Sequence, residues 1–421
     1  MNVDDSYEQE ITRHVRWNFI VNTSDLLSVS LARSFIFHLT VLPLYASYLT
    51  SSSVLIGLVP AIYEVGFLLP QLLMSRRAES LSVKKPFVVK MSIFERLPFL
   101  LIALSIFLRP EAPRWFAYLM LSLNIAVASS AGGLATPAWK GMLGKVIRPR
   151  RRALLFSLGS GVGGFLGIGG ALLAGYILDS WEYPQSFGFC FLLAFLGQAL
   201  SWFFLTLNRE PERKPHVISD SLKSYLKQLP AILRGDRNFT RYLASQVLAI
   251  LGSMGVSFYI IYGRYIYSIS DGFAGSMTMV ALFSQSIGIP VLGWFSDRLG
   301  HKWLAEMSAV LGIGALLLML VIPGPLWLFP VFIMANLSVT GRNIAVTCIS
   351  MEIGGVDRLP TYTALSGTLL GIPTLIAPVL GGWVLDLLGF PLLFTLALVF
   401  ALAGLIVLRF GVRDPRMYRP Y

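Results

Sequence analysis

The sequence predicts an all-α polytopic membrane protein, with twelve transmembrane helices arranged as two pseudo-symmetric six-helix bundles. Of its 421 residues, 55% are hydrophobic and only 13% are charged, against about 25% charged in an average globular protein. The mean hydropathy is +0.69. Apolar residues run continuously instead of alternating, which excludes the strands of a membrane β-barrel. This composition also excludes a soluble enzyme, a nucleic-acid-binding protein and a disordered chain.

The predicted spans follow from the length that a membrane crossing requires, which is about 20 apolar residues. Twelve stretches fit this requirement: 17–48, 52–74, 87–108, 114–136, 154–178, 187–207, 241–263, 272–295, 303–322, 326–349, 363–385 and 391–411. We refer to them as spans 1 to 12. Span 1 is the least apolar, because four polar residues interrupt it: Asn18, Asn22, Asp25 and Arg33.

The distribution of positive charge predicts the orientation of the chain. Segments 75–86, 140–152 and 208–241 carry four, six and eight Lys or Arg residues. The loops at 49–51, 179–186, 323–325 and 386–390 carry none. The positive-inside rule therefore places both termini and the long central loop in the cytoplasm of a multi-pass protein of the cell membrane. This asymmetry also explains the net charge of +12 without a nucleic-acid partner. The hydrophilic start, followed by a long apolar run, predicts a permanent anchor instead of a cleaved signal peptide.

An internal repeat predicts the domain organisation. A shift of 207 residues aligns Gly175-x-x-Leu178-Asp179 with Gly382-x-x-Leu385-Asp386, and Pro184 with Pro391. Six plus six helices related in parallel is a layout typical of transporters. We expect an N-terminal bundle at 1–207, a cytoplasmic linker at 208–240 and a C-terminal bundle at 241–421. Leucines at helical spacing in the linker favour an amphipathic helix on the membrane surface, although a plain linker is the alternative.

A short motif after span 8 carries a family resemblance. Residues 293–302 read Gly-Trp-Phe-Ser-Asp-Arg-Leu-Gly-His-Lys. This resembles the Gly-x-x-x-Asp-Arg-x-Gly-Arg-Lys signature of the major facilitator superfamily of secondary transporters, with His at one basic position. The resemblance implies a latch on the cytoplasmic side, made of Gly293, Asp297, Arg298, Gly300 and Lys302, with Arg152 as a partner at the start of span 5. An ordinary positive-inside loop is the alternative.

Small residues recur on spans 5 and 11. Gly159, Gly163, Gly167, Ala171 and Gly175 follow one another every four residues, a spacing that lets membrane helices pack closely. Span 11 contains a corresponding pair of small residues, Gly381 and Gly382. We interpret both faces as packing between the bundles, with a ligand groove as the alternative. The run from Ala377 to Gly382 also resembles part of the superfamily's antiporter motif, which favours efflux. The preference is only slight, because the motif belongs on span 5, and span 5 lacks the corresponding proline.

Polar residues inside the spans are costly and therefore predict a solute or ion pathway. The candidates are Asn22, Asp25 and Arg33 on span 1, Glu64 on span 2, Gln246 on span 7, and Asn336, Arg342 and Asn343 on span 10. The resemblance places spans 1, 4, 7 and 10 beside the central cavity. Structural pairs are the alternative, such as Glu64 with Arg33, and amides also join helices. Asp25 and Glu64 are the leading candidates for a titrating carboxyl group.

These features predict secondary active transport of a small solute by alternating access, coupled to an ion such as a proton. The sequence contains no Gly-x-x-x-x-Gly-Lys-Ser/Thr string for ATP and no catalytic motif of an intramembrane enzyme. Its four histidines are scattered, so we expect neither a metal site nor a cofactor. We expect a monomer surrounded by membrane lipids. The alternative is a non-transporting relative that acts as a sensor or partner subunit.

Overall fold

The computed structural model describes residues 3–212 and 233–414, and these residues form helices joined by short connections without a strand. The α-helices are α1 (Val3–Ser34), α2 (Val41–Leu49), α3 (Ser53–Glu79), α4 (Lys85–Leu108), α5 (Arg114–Val146), α6 (Pro149–Ser180), α7 (Gln185–Thr206), α8 (Arg237–Gly252), α9 (Tyr259–Tyr267), α10 (Phe273–Leu299), α11 (His301–Val321) and α12 (Leu328–Ile406). The predicted all-α class is confirmed. Most of the predicted linker helix lies outside the described residues.

The described helices account for twelve crossings. Ten stretches are long and apolar enough to span a membrane, and each of the first nine coincides with one of the predicted spans 2 to 10. The tenth, Leu365–Gly411, has 47 residues and covers spans 11 and 12. Span 1 is not among the ten, because its polar residues lower its hydropathy. Nine single crossings, two in the last stretch and span 1 give the predicted twelve.

Helix α12 cannot be one straight rod across the membrane. Its 79 residues would reach about 120 Å as an ideal helix, whereas the hydrocarbon core of a bilayer is about 30 Å thick. The chain turns at Gly389, which has a φ of +78°. A residue with a side chain rarely adopts that conformation. The glycine therefore marks the boundary between spans 11 and 12, just before Pro391.

The sequence predicts span 1 as one continuous helix, and this expectation is wrong. Residues 35–40 are not α-helical and separate α1 from α2. The last turn of α1 tightens, because the Phe35 amide donates to the Ala32 carbonyl three residues earlier. Pro43 lies in the first turn of α2. A proline is tolerated there, but in the interior of a continuous helix it would remove a backbone hydrogen bond.

Span 7 contains a break of its own. Helix α8 ends at Gly252, a single 3₁₀ turn covers Val256–Phe258, and α9 begins at Tyr259. The Ser253 hydroxyl donates to the Ile250 carbonyl at 2.7 Å, which competes with the regular helical bonds. The first span of each predicted half is therefore discontinuous, which is a structural counterpart of the sequence repeat.

The chain divides by contacts into two compact units. The first comprises Met1–Tyr45, Ile62–Ser219 and Asp271–Leu282. The second comprises Ala46–Ala61, Asp220–Ser270 and Phe283–Tyr421. Two short segments, at the start of span 2 and the start of span 8, thus group with the other half of the sequence. The predicted division of the chain near residues 207 and 241 stays a prediction.

Each unit contains the same contact, in which one asparagine side chain makes two hydrogen bonds with the backbone of a residue near the end of the same half of the sequence. We call this contact the amide clamp. In the first unit, the Asn18 amide Nδ2 donates to the Arg209 carbonyl, and Asn18 Oδ1 accepts from the Arg209 backbone N–H, both at 2.9 Å. In the second unit, Asn238 makes the same two bonds with Arg413, at 3.0 and 2.8 Å. Asn18 therefore fastens the first helix of its half to the segment that follows the last one, and this repeated contact supports a duplicated architecture.

Candidate functional site

Asp25 lies in a closed hydrogen-bonded network inside the first unit. Its side chain is only 4% exposed, and the Ser201 hydroxyl donates to its Oδ1 at 2.5 Å. Arg96 in turn donates from Nη2 to the Ser201 hydroxyl at 2.8 Å and from Nε to the Gln198 carbonyl at 2.8 Å. The Arg96 guanidinium also pairs with Glu95 at 3.1 Å. Helices α1, α4 and α7 are joined by these contacts, which sequence spacing did not reveal.

Glu64 does not form an ion pair with Arg33, the structural alternative raised by the sequence. Its Oε1 lies 3.2 Å from Nε2 of His38, a residue in the break of span 1. The imidazole also stacks on the Tyr63 ring, with the ring centroids 5.3 Å apart and the planes 13° from parallel. The Arg33 guanidinium lies over the Phe67 ring, 5.5 Å from its centroid. His38 was missed because the scattered histidines of the sequence gave no sign of a partner.

Asn22 is a buried contact between α1 and the segment that follows α7. It is 1% exposed, and its Nδ2 donates to Asn208 Oδ1 at 2.5 Å and to the Asn18 carbonyl at 2.7 Å. It therefore reinforces the neighbouring amide clamp. This placement corresponds to the alternative that amides serve to join helices.

An amide cluster joins α10 to α12 in the second unit. Asn336 is 2% exposed and donates from Nδ2 to the Ser284 hydroxyl at 3.1 Å. Gln285 Nε2 donates to Asn336 Oδ1 at 3.0 Å. Gln285 was not singled out by the sequence. Asn343, about two turns farther along α12, is exposed. The polar residues predicted on span 10 thus differ in exposure, since Asn336 is buried and Asn343 is exposed.

A small cavity lies within the second unit and is lined by two of the predicted pathway residues, Gln246 and Arg342. Its volume is about 40 Å³, enough for about three water molecules. Several hydroxyl groups share the lining: Ser245, Ser253, Ser308 and Ser338. Gln246 Oε1 is buried without a hydrogen-bond partner. Because a buried amide oxygen is costly to leave unbonded, the cavity is suited to water.

The turn that carries the family signature is held by its glycine and lysine. Gly300 has a φ of +104°, a conformation that favours glycine. Lys302 donates from Nζ to the Val412 carbonyl at 2.8 Å and pairs with Glu306 at 3.5 Å. Arg298 lies 3.7 Å from the Trp294 ring centroid. A Cβ atom at Gly293 would meet nothing within 4 Å.

Arg152 makes local contacts at the end of α5. Its Nη2 donates to the Gly144 carbonyl at 2.5 Å, and its Nε donates to the Ile147 carbonyl at 3.1 Å. A cation is favourable at the carbonyl end of a helix. The expected latch between Asp297 and the start of span 5 stays a prediction.

The glycines of span 5 pack against two different neighbours. A Cβ at Gly159 would lie 2.9 Å from a Leu26 side-chain carbon, and one at Gly163 would lie 2.7 Å from the Ser30 hydroxyl. These two glycines therefore face span 1 of the same half. Farther along, a Cβ at Gly167 would lie 3.0 Å from a Leu282 carbon, and one at Gly175 would lie 2.8 Å from the Gly272 carbonyl oxygen. Only this second part faces the start of span 8.

Span 11 presents the corresponding surface in the second unit. A Cβ at Gly381 would lie 2.6 Å from the carbonyl oxygen of Met254, in the break of span 7. A Cβ at Gly382 would overlap the carbonyl oxygen of Ser53. Glycine is needed at both positions because the backbones approach too closely for any side chain.

The aspartates of the sequence repeat cap the starts of two other helices. Asp179 Oδ1 accepts from the Gly272 backbone N–H at 2.7 Å, just before α10. Asp386 accepts from the Ser53 backbone N–H at 2.9 and 3.1 Å, at the first residue of α3. The first amides of a helix lack partners within it, and its N-terminus attracts negative charge.

Comparisons with known proteins agree with this architecture. The sequence profile of the Major Facilitator Superfamily matches residues 26–263 and 242–420. No curated protein sequence matches the chain. Among solved structures, a bacterial homolog of the human lysosomal transporter Spinster, inward-facing and unoccupied, is similar with a TM-score of 0.63, 13% identity and 95% coverage of both chains. A POT family transporter gives 0.68, with 14% identity and 97% coverage of both chains.

The nucleoside transporter NupG is also similar, with a TM-score of 0.67 and 16% identity over 93% of this chain and 98% of that one. Identities this low show a shared fold and not a shared substrate. The sequence profile, however, extends over both halves of the chain. The chain therefore belongs to the major facilitator superfamily, as a multi-pass membrane transport protein and not an enzyme.

Proposed function

We propose that the protein is a secondary active transporter that moves a small solute across the cell membrane by alternating access. In this proposal transport is coupled to an ion, namely a proton, and efflux is the favoured direction. The protein acts as a monomer among membrane lipids, with both termini in the cytoplasm. The observation that carries the proposal is the pair of matching caps, Asp179 at the start of α10 and Asp386 at the start of α3.

Alternating access requires contacts that close one face of the protein and break in every cycle. Both capping carboxylates belong to exposed residues, and an N-terminal cap contributes about 1 kcal/mol. A tenfold change in a conformational equilibrium corresponds to about 1.4 kcal/mol. The two caps together are therefore strong enough to favour a closed face and weak enough to be released by binding of a solute on the other side.

A second contact is proposed at the face that contains the termini. Asp297 follows span 8 within the signature turn, and a carboxylate there is attracted to the positive end of span 5. Release of this latch would open the cytoplasmic side while the two caps keep the opposite side closed. The resemblance of Ala377–Gly382 to part of the antiporter motif supports efflux as the direction.

The test begins with purified full-length protein, because no solute is identified. A thermal-shift screen with a library of metabolites and drugs finds compounds that stabilise the fold by binding to it. Each such compound is then assayed for flux into proteoliposomes with and without an imposed pH gradient. We expect accumulation that depends on the gradient. Stabilisation without flux for every compound would overturn the proposal and favour the sensor or partner subunit.

A further inference from the structure

The break in span 1 brings a histidine and a glutamate together at membrane depth. His38 lies within residues 35–40, where the helix is interrupted, and its Nε2 is 3.2 Å from Glu64 Oε1. Irregular backbone inside a membrane is tolerated where it is buried in protein or lines a water-filled cavity. Ionisable side chains at that depth are costly and mark ion pathways in transporters. The pair therefore combines two features that are characteristic of a functional site.

The exposed fraction of the side chains distinguishes this pair from the other candidate carboxylate. The side chains of His38 and Glu64 are 22% and 40% exposed. Asp25 is only 4% exposed, and its Oδ1 is occupied by the Ser201 hydroxyl, which Arg96 holds from its other side. Proton exchange at the first site therefore requires no change in a closed hydrogen-bonded network. Binding at Asp25 would require that network to open.

We propose that His38 and Glu64 form the proton-binding site of this transporter, with one proton shared between imidazole Nε2 and carboxylate Oε1. This inference rests on the proposed function of ion-coupled transport. The proton comes from water and returns to water, so no covalent bond changes and no other reactant is needed. Binding converts the pair from one net negative charge to neutrality.

The surroundings explain how that change of charge would act on the helices. The ionisable groups near the pair are Arg33 and Asp25 from α1, Tyr63 from α3, and Glu95 from α4. The Arg33 guanidinium is permanently charged, and it is attracted to the deprotonated pair across the break. Proton binding removes this attraction between α1 and α3, so it changes the balance between conformations. Tyr63, stacked on the imidazole, keeps the ring in place during the exchange.

The test uses the full chain in liposomes and needs no solute. Infrared difference spectra between about pH 4 and pH 8, the range in which Glu and His side chains titrate, detect the C=O stretch of a protonated carboxyl group. Nitrogen NMR of labelled histidine detects the imidazole. The variants are Glu64→Gln and His38→Gln. A matched control is Glu352→Gln, which alters the other histidine–carboxylate pair, where His301 lies 3.6 Å from Glu352.

We expect Glu64→Gln to remove one component from the carboxyl signal of the parent protein and to move the His38 midpoint by about one pH unit. The control should leave both signals unchanged and alter only the His301 signal. A carboxyl signal that is identical in the parent protein and in Glu64→Gln, or a His38 midpoint that does not move, would overturn the proposal. Both substitutions are at partly exposed positions, and the unchanged histidine signals of each variant report whether it has folded.

The outcomes also separate this site from the proposed function. If solute flux driven by a pH gradient persists in both variants, the protein is a proton-coupled transporter whose proton site lies elsewhere. If the pair titrates as expected but no compound is ever transported, the proton site stands and transport is refuted. Neither result can be mistaken for the other, because the spectra are measured without solute.

Discussion

Removal of the Asp386 carboxylate tests the paired caps most directly. Its two oxygens accept the Ser53 backbone N–H at 2.9 and 3.1 Å, and the Ser52 hydroxyl donates to Oδ2 at 3.3 Å. Loss of a side-chain cap costs about 1 kcal/mol, and loss of negative charge at a helix N-terminus costs about 0.3–1 kcal/mol. Asp386→Ala should therefore destabilise the first turn of α3 by about 1–2 kcal/mol.

Hydrogen–deuterium exchange measured by mass spectrometry can detect this change locally. A cost of about 1–2 kcal/mol corresponds to roughly five- to thirty-fold faster exchange in residues 53–58. Asp179→Ala should accelerate exchange in residues 272–278 instead, because Asp179 caps α10. The matched control is Glu111→Ala, which removes an exposed carboxylate from the 109–113 loop. Asp386→Asn should largely restore protection, since asparagine is also a good cap.

Two results would refute the reasoning. One is unchanged exchange at residues 53–58 in Asp386→Ala, which would mean that the carboxylate does not hold the helix start. The other is equally faster exchange throughout the chain, which would indicate a general loss of stability instead of a local cap. A third result would limit the conclusion. If a double variant opens both helix starts but that face becomes no more accessible, the two aspartates are helix caps without a role in gating.

Three further outcomes are expected. Asp297→Asn should increase cysteine accessibility on the cytoplasmic side, and unchanged accessibility with unchanged transport would reject the latch. Asn238→Ala should lower the free energy of unfolding by about 1–3 kcal/mol, because two backbone groups lose their partner. An unchanged melting temperature would count against the clamp. Gly382→Val should open the start of α3, because its side chain would overlap the Ser53 carbonyl. Gly367→Val is the control, since a Cβ there would meet nothing within 4 Å, and equal effects of both would contradict the packing argument.

Composition and hydropathy were sufficient for the helical class and for the positions of the twelve spans, because burial in lipid requires long apolar helices. They could not predict the break in span 1. The apolar pattern continues through residues 35–40, and only Pro43 indicated a new helix start. Once the helix is broken, the residues after the break point in new directions. The sequence offered Arg33 as an example of a structural partner for Glu64, and it overlooked His38, which lies in the break.

The aspartates of the repeat illustrate a different limit. The sequence aligned Asp179 with Asp386 correctly, but it could not identify what either one binds. Their partners, Gly272 and Ser53, are 93 and 333 residues away, and each lies at the start of a helix whose free amides leave no mark in the sequence. A cap made by a distant residue becomes recognisable only when the helices are packed.

The repeated and the unrepeated features of this chain divide along functional lines. The amide clamps, the helix caps and the breaks in spans 1 and 7 occur once in each half, and all of them concern how helices are fastened or bent. The chemistry at the two breaks differs. In span 1 the break holds His38 against Glu64, whereas the break in span 7 contains serines and lies against Gly381 of span 11. A duplicated scaffold needs equivalent mechanical contacts in both halves to alternate between conformations, but a single proton needs only one site. The proposed proton coupling therefore belongs to the half whose break holds His38. The break of span 7, which contains no ionisable residue, is expected to move without a change of protonation.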